Sequence, residues 1–547
     1  MQSSRGGDHV NQINTVDVLV VGAGFSGLGA AIRLTQEGFD DLVVLERGSD
    51  VGGTWRDNSY PGAACDVPSH LYSFSFAPNP DWSRAFSPQG EIYDYIRRVT
   101  AEAGVREKIR FGVEVTAVDY DEDRGRWTVE SSEGTYDARV VVLGVGALCE
   151  PKNPDIDGFA DFTGEVFHTA RWDHSVMLAD KNVAVIGTGA SAIQVVPSIA
   201  PTVAHLDVYQ RTAPWVLPRM DRTYPAIERK AYRTIPGLQR AMRALQWASR
   251  EFQVVGLTRS RAALAPIKVL GRAHLALQVR DKTLREKVMP RFEIGCKRIL
   301  LSNTWYPALS RDNVDLVTSP IERVTSGGIT TADGTEHPAD VLVVATGFHV
   351  TDSPFFERVR GSDGQALADK WATEGMEAYK GTTVAGYPNL FVLVGPATGL
   401  GHSSMIYMIE SQLNYLADAM RTMRERNLQT VDVREVVQDA YNADLRASTS
   451  ESVWTTGCSS WYLDDKGNAP AVWPDFTFSF RKETREFDLS AYRRTPAAPT
   501  APAGAAIPAG GATAAGAGTA TSVTSAASPS AASAGAQGLP TGQQDRS

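Results

Sequence analysis

Cysteine is scarce in this chain: 547 residues carry four, Cys65, Cys149, Cys296 and Cys458, and no two form a CxxC pair. The spacing therefore indicates neither a disulfide scaffold nor a zinc ribbon, and a reduced cytosol fits. Positive charge is not in excess either. The 54 Lys and Arg face 63 Asp and Glu, a formal net charge of −9, which argues against a general nucleic-acid binder and leaves phosphate binding to local sites. No uninterrupted apolar run approaches the roughly 20 residues of a membrane span, and the opening MQSSRGGDHVNQINT lacks the apolar core of a secretion signal. A soluble, cytoplasmic protein is expected.

What is present begins with a hydrophobic share of 43% over a length that exceeds one hydrophobic core, so two or three domains are expected. From about Thr495 the text collapses to Ala, Gly, Pro, Ser and Thr, a composition unable to offset its own ordering entropy, so 495–547 reads as a disordered tail and 1–15 as a flexible start. Short-period repeats are absent, but VDVLVVGAGFSGLGAAI and KNVAVIGTGASAIQVV share one pattern. Each is a β-branched run, closely spaced glycines and an Ala-rich helical stretch, which predicts strand, tight turn and helix twice over.

In the first copy, Gly22, Gly24 and Gly27 fill G-x-G-x-x-G. The first permits the turn, the second admits a pyrophosphate beside backbone, and the third lets helix and sheet approach. The helix N-terminus then offers N–H groups and a positive dipole end. A second strand, DDLVVLERG, ends at Glu46, nineteen residues after Gly27, where an acid accepts hydrogen bonds from ribose hydroxyls and would repel a 2′-phosphate. The site suits FAD or NAD, not NADP. Downstream, VGGTWRDNSYPGAACDVPSHLYSFSF, with Gly53, Thr54, Trp55 and Tyr72, resembles the ring-contacting segment of flavoprotein monooxygenases, and that resemblance favours FAD.

The second copy supplies Gly187, Gly189 and Ala192, with Ser191 in the turn. Its next strand, HLDVYQRT, ends at Arg211, nineteen residues after Ala192. A guanidinium in that position grips a 2′-phosphate and selects NADPH, and Thr212 adds a hydroxyl. Opposite charges at equivalent positions imply hydride passing from NADPH to a flavin. The CxxxxC pair of disulfide reductases is missing, so the electrons go elsewhere.

Between the copies lies FTGEVFHTARWDH, in which Phe162, Gly164, His168, Trp172 and Asp173 match FxGxxxHxxxW[P/D]. This string between two Rossmann turns resembles the fingerprint of the type I Baeyer–Villiger monooxygenases, class B flavoprotein monooxygenases, and the likeness runs from about residue 16 to 494. Read alone, His168 is equally a structural histidine and Trp172 a packing residue. The resemblance implies a coupling role for His168 between flavin and nicotinamide halves, with Trp172 beside the cofactors. It also implies that Asp66, in YPGAACDVPS, is the active-site acid and that Lys297–Arg298, in GCKRILLSN, is the family's KR pair. Arg298 then stabilises oxyanions because it never deprotonates, Asp66 holds it in place, and Lys297 joins Arg211 at the 2′-phosphate.

The expected fold is α/β, with two Rossmann-like dinucleotide-binding domains and a helical insertion in the second. The FAD domain comprises 16–150 and 385–494, the NADP domain 151–221 and 295–384, and the helical part 222–294. Within 222–298, 18 Lys and Arg face 5 Asp and Glu. The stretch reads as a solvated helical face that raises the local potential for an anionic nucleotide, with a membrane surface as the alternative reading. The implied activity is NADPH- and O₂-dependent conversion of ketones, or aldehydes, to esters or lactones through a flavin peroxide, with sulfoxidation as a side activity. Its rivals are an S- or N-oxygenating flavin monooxygenase and a non-catalytic flavin and NADPH sensor. No metal and no nucleic acid is expected, and the chain is expected to work as monomer or dimer.

Overall fold

The computed structural model describes residues 13–464 and 466–497; most of the expected tail and the first twelve residues lie outside the described residues. The run VDVLVV becomes the centre of a strand, Asn14–Val21, whose last four residues are buried. It lies parallel to Leu42–Glu46 on one side and to Gly134–Leu143 on the other. Strands buried on both faces read as continuous apolar runs rather than alternations, which is why this segment is legible.

The first sheet has eight strands. Seven run in the order Val359–Arg360, Val115–Asp121, Arg126–Ser131, Gly134–Leu143, Asn14–Val21, Leu42–Glu46 and Ile109–Phe111, and Leu390–Val392 also pairs Gly134–Leu143. The helix Phe25–Gln36 packs on it and meets the long helix Met405–Glu425. Late sequence thus returns to cover early sequence.

The second sheet is all parallel, in the order Val314–Val317, His205–Tyr209, Asn182–Ile186, Val341–Val344 and Glu165–His168. One face carries the helices Ala192–Ile199 and Trp305–Leu309, packed through Val195, Val196 and Trp305. The other is covered by a three-stranded meander, Ile321–Thr325, Gly328–Thr331 and Glu336–Pro338, through Val324 and Ile329.

The helical insertion leaves and re-enters through one seam. Val216–Leu217 and Leu300–Leu301 pair in parallel, with Leu300 N–H donating to Trp215 O at 2.9 Å. Between them run helices Ala226–Thr234, Leu238–Val254, Ala265–Gln278 and Lys282–Lys287. Among the described residues, no helix is long and apolar enough to cross a membrane.

Four expectations are corrected. Asn14 and Thr15 belong to a strand, paired with Tyr136 and Asp137, because the ladder extends past the apolar run. Thr495 and Pro496 end the strand Tyr492–Pro496, since Leu428–Val433 supplies a partner that composition does not reveal. The insertion is not simply a solvated face: Arg243 Nη1 is turned inward and donates to the carbonyls of His70 and Ser73, both at 2.8 Å. Lastly, Cys296 and Cys458 form a disulfide across 162 residues of sequence, a separation over which spacing carries no signal.

Candidate active site

Both glycine turns are forced by close approach. Gly22 has φ +95°, and a Cβ there would lie 2.7 Å from Gly144 O; one on Gly27 would lie 1.9 Å from Gly22 O. The helix therefore packs hard against the strand, as the third glycine slot requires. The stretch 143–146, LGVG, closes the packing from the other side, since a Cβ on Gly144 would lie 2.8 Å from Gly27 Cα. In the second turn Gly187 has φ +119° and a Cβ would lie 2.5 Å from Ala345 O, whereas Gly189 faces open space.

A cavity of ≈ 2130 Å³ runs between these turns. On the first side it is lined by Gly22, Gly24, Glu46, Gly53, Thr54, Trp55 and Tyr72, and on the second by Gly187, Gly189, Ser191, Arg211, Thr212 and Lys297. Asp66 and Arg298 line it as well. Gly27 lies in the helix–strand contact behind.

Glu46 is buried at its strand end. Its Oε2 accepts from Ala23 N–H at 2.7 Å, and its Oε1 accepts from Gly48 N–H at 2.7 Å and from Arg56 Nη1 at 2.8 Å. A carboxylate offers about four acceptor positions, so room for a ribose hydroxyl remains on Oε2. On the opposite side, burial lowers the Lys297 ammonium and the nearby Arg211 cation lowers it further. Among the described residues neither Arg211 nor Lys297 forms a salt bridge. Two adjacent cations without a carboxylate suit a doubly charged phosphate.

Arg298 stands between the turns. Its Nε and Nη2 donate to the same Asp66 oxygen at 2.9 and 2.6 Å, and Nη1 donates to Leu400 O at 3.2 Å. Three of the five guanidinium donors are thus used, and the buried Tyr462 side chain stands beside the group. The Asp66 charge raises the Arg298 guanidinium, against burial. Burial alone would raise the Asp66 carboxyl, but Arg298 overrides it and holds the group below the usual carboxylate range. The side chains of Arg298 and Asp66 remain 27% and 32% exposed, because they face the cavity.

The fingerprint string sits differently. His168 ends the strand Glu165–His168 and is buried, with Nδ1 accepting from Ala170 N–H at 3.1 Å. Burial pushes the imidazole down to about 4, so it is neutral. It packs edge-on to Phe348, which lines the cavity while His168 does not. Trp172 packs edge-on to Phe167 and also stands off the cavity. Neither residue lines the cavity in this structure. His168 ends an edge strand of the second sheet, and Trp172 follows it after the short turn Thr169–Arg171. The string instead joins the halves, since His174 Nε2 and Ser59 Oγ lie 2.8 Å apart.

Other residues here escaped sequence reasoning. Gln194 takes a bond from Tyr60 O–H at 2.9 Å and donates to Ala64 O at 2.9 Å, joining the second half's helix to the segment that carries Asp66. Arg250, on the insertion, adds its charge to that of Arg298 in lowering Asp66. Cys296, which directly precedes Lys297–Arg298, is tied by the disulfide to Cys458 and so to the 459–464 stretch, of which Ser460 and Trp461 line the cavity.

Comparison with known proteins decides the family. The chain is 50% identical over 494 residues to a Baeyer-Villiger monooxygenase of Streptomyces coelicolor, covering 90% of this chain and 95% of that one. This chain belongs to the Baeyer–Villiger monooxygenases. A second member, from Pseudomonas aeruginosa, is 47% identical over 87% of this chain and 91% of its own. Among solved structures, a cyclohexanone monooxygenase from Rhodococcus sp. Phi1 bound to NADP⁺ superposes with a TM-score of 0.79 at 28% identity, covering 89% of this chain and all of that one. The structure of OTEMO complexed with FAD and NADP gives a TM-score of 0.79 at 27% identity, over 88% of this chain. Residues 19–231 also match the family described as pyridine nucleotide-disulphide oxidoreductase, although this Baeyer–Villiger monooxygenase lacks the CxxxxC pair. The two-dinucleotide α/β fold expected from sequence is the fold found. The cradles fit the cofactors: a glycine turn with a buried acid for FAD, and a glycine turn with two unneutralised cations for NADPH.

Proposed function

We propose that this enzyme oxidises ketones, and also aldehydes, to esters or lactones, with sulfoxidation as a side activity. FAD and NADPH, when bound, supply oxygen activation and hydride. The chain's residues position, charge and enclose. Glu46 takes the FAD ribose, and the free N–H groups after Gly24 and Gly189 face the two pyrophosphates. Gly53, Thr54, Trp55 and Tyr72 surround the flavin ring, and Ser191 and Thr212 line the nicotinamide nucleotide's path. Arg211 and Lys297 select the 2′-phosphate.

Arg298 acts on the reacting oxygens. Its two donors not claimed by Asp66 and Leu400 stabilise negative charge on oxygen, both on the oxidant and on the carbonyl under attack. Asp66 fixes the fork's direction. His168, behind the wall, is a positioning residue for the Gly347–Phe348 turn. Trp55 Nε1 donates to Tyr72 O–H at 3.0 Å, and this aromatic pair keeps water from the reacting atoms.

The domain division proposed is 16–150 with 385–494 for FAD, 151–221 with 295–384 for NADPH, and 222–294 as the helical part; the compartment proposed is the cytoplasm, and the assembly a monomer or dimer. The single observation that carries the functional reading is the Asp66–Arg298 pair lining one cavity between two glycine turns of opposite charge preference. The test is a panel of linear, cyclic and aryl ketones, aldehydes and thioethers, supplied with NADPH and O₂, with mass detection of the inserted oxygen. Ester or lactone from ketones supports the reading; sulfoxide or N-oxide alone contradicts it.

A further inference from the structure

Far along the sheet from the glycine turn, the second half carries a cluster of nitrogen and oxygen donors that the reaction does not use. His205 and Asp207 project from the same face of the strand His205–Tyr209, two residues apart. Asp315 is the register partner of Asp207 on the neighbouring parallel strand. From above, the meander strand Glu336–Pro338 brings down His337.

The donor atoms converge. His205 Nε2 lies 3.4 Å from Asp207 Oδ1 and 3.5 Å from Asp315 Oδ2, and His337 Nδ1 lies 3.5 Å from Asp207 Oδ1. The donors of His205, Asp207 and Asp315 all fall within 4.8 Å of one another. Charge-assisted hydrogen bonds are shorter, about 2.7–2.9 Å. Ligands at about 2.0–2.1 Å around a tetrahedral Zn²⁺ sit about 3.3 Å apart, close to the 3.4 and 3.5 Å that separate His205 Nε2 from the two carboxylates. A second observation points the same way: the Asp207 side chain is only 5% exposed, and its Oδ1, aimed between the two imidazoles, has no hydrogen-bond partner. Buried carboxylate oxygens are costly without one.

We propose that His205, Asp207 and Asp315, with His337 closing on them from the Asp207 side, form a structural site for Zn²⁺ or a similar borderline divalent cation. Two imidazoles favour such an ion over Ca²⁺ or Mg²⁺, which take all-oxygen shells. The ion fastens the meander to the parallel sheet. Entry is open, because the Asp315 and His205 side chains are 72% and 36% exposed.

The test uses the untagged full-length protein with FAD bound, freed of metal by chelator and titrated with Zn²⁺ alone by calorimetry and elemental analysis. One Zn²⁺ per chain is expected, with a rise of a few degrees in Tm. His205→Ala and Asp315→Ala, both at partly exposed positions, are expected to weaken binding by about tenfold or more. FAD content and ester formation should stay as in the wild type, so loss of zinc and loss of the oxygenase reading are separable. Asp207→Asn, which conserves volume, provides a further variant. Absence of binding, or equal binding in the wild type and the variants, overturns the proposal.

Discussion

Arg298 spends two of its N–H groups on a single oxygen of Asp66, at 2.9 and 2.6 Å, and the pair lines the cavity between the two glycine turns. Because both bonds fall on Oδ2, the fork is pinned at one edge and its remaining donors are aimed elsewhere.

Asp66→Ala should therefore harm twice, by freeing the fork and by leaving a half-buried cation without its partner. A stability loss of about 1–2 kcal/mol is expected, with ester formation falling more steeply than NADPH oxidation. The pH dependence has a definite sign. The Asp66 carboxyl is depressed in the fold, so the pair is intact above the ordinary aspartate pKa of about 3.9 and is lost only as pH falls through the lower folded value. The ratio of ester to hydrogen peroxide in the wild type should thus show no Asp66 limb between pH 6 and 9; product analysis across that range checks this.

Arg211→Ala should raise KM for NADPH by about 10- to 100-fold, the worth of one charge-assisted phosphate contact, while KM for NADH changes little. Lys297→Ala should act in the same direction, and the double variant should lose most of the preference. Equal losses for both nucleotides would remove these cations from the 2′-phosphate.

His168 is held neutral by burial, with its pKa down to about 4, and His70 is lowered likewise by burial. An unfolded chain binds protons at both positions below about pH 6.5. The folded state does not until about pH 4, so stability rises with pH across that window. Denaturant titrations at pH 5 and 7 should show the difference, reduced in His168→Gln. The same variant should still reduce flavin within a few-fold of the wild-type rate, since His168 packs behind Phe348 rather than in the cavity.

The Cys296–Cys458 bond fastens the Lys297–Arg298 segment to the 459–464 stretch. Cys458→Ser should lower stability by about 2–4 kcal/mol and increase peroxide release. A thiol reductant should shift the wild-type melting curve in the same direction and leave that of Cys458→Ser unmoved.

Local chemistry was readable from sequence because it is written within about thirty residues. Gly27 answers to a close approach made within its own strand, turn and helix, whereas the space denied to a side chain at Gly22 and Gly187 is taken by Gly144 and Ala345, far along the chain; Glu46 and Arg211 follow from strand length. Contacts across the fold were not readable. Gln194 looks like any polar residue of an amphipathic helix until the segment bearing Asp66 packs on it, and Arg243 and Arg250 look solvated until the insertion folds back. Trp172 likewise reveals its partner only in the fold, where it packs half-buried and edge-on to Phe167.

The most direct test of Arg298 as the stabiliser of reacting oxygen is the partition of product under ¹⁸O₂, with a cyclic ketone and NADPH, in the wild type and in Arg298→Ala. The wild type should deliver one labelled oxygen into the lactone. Arg298→Ala should still consume NADPH, release hydrogen peroxide in near-equal amount, and form lactone at least about 100-fold more slowly. Labelled lactone at the wild-type rate and yield from Arg298→Ala would contradict it.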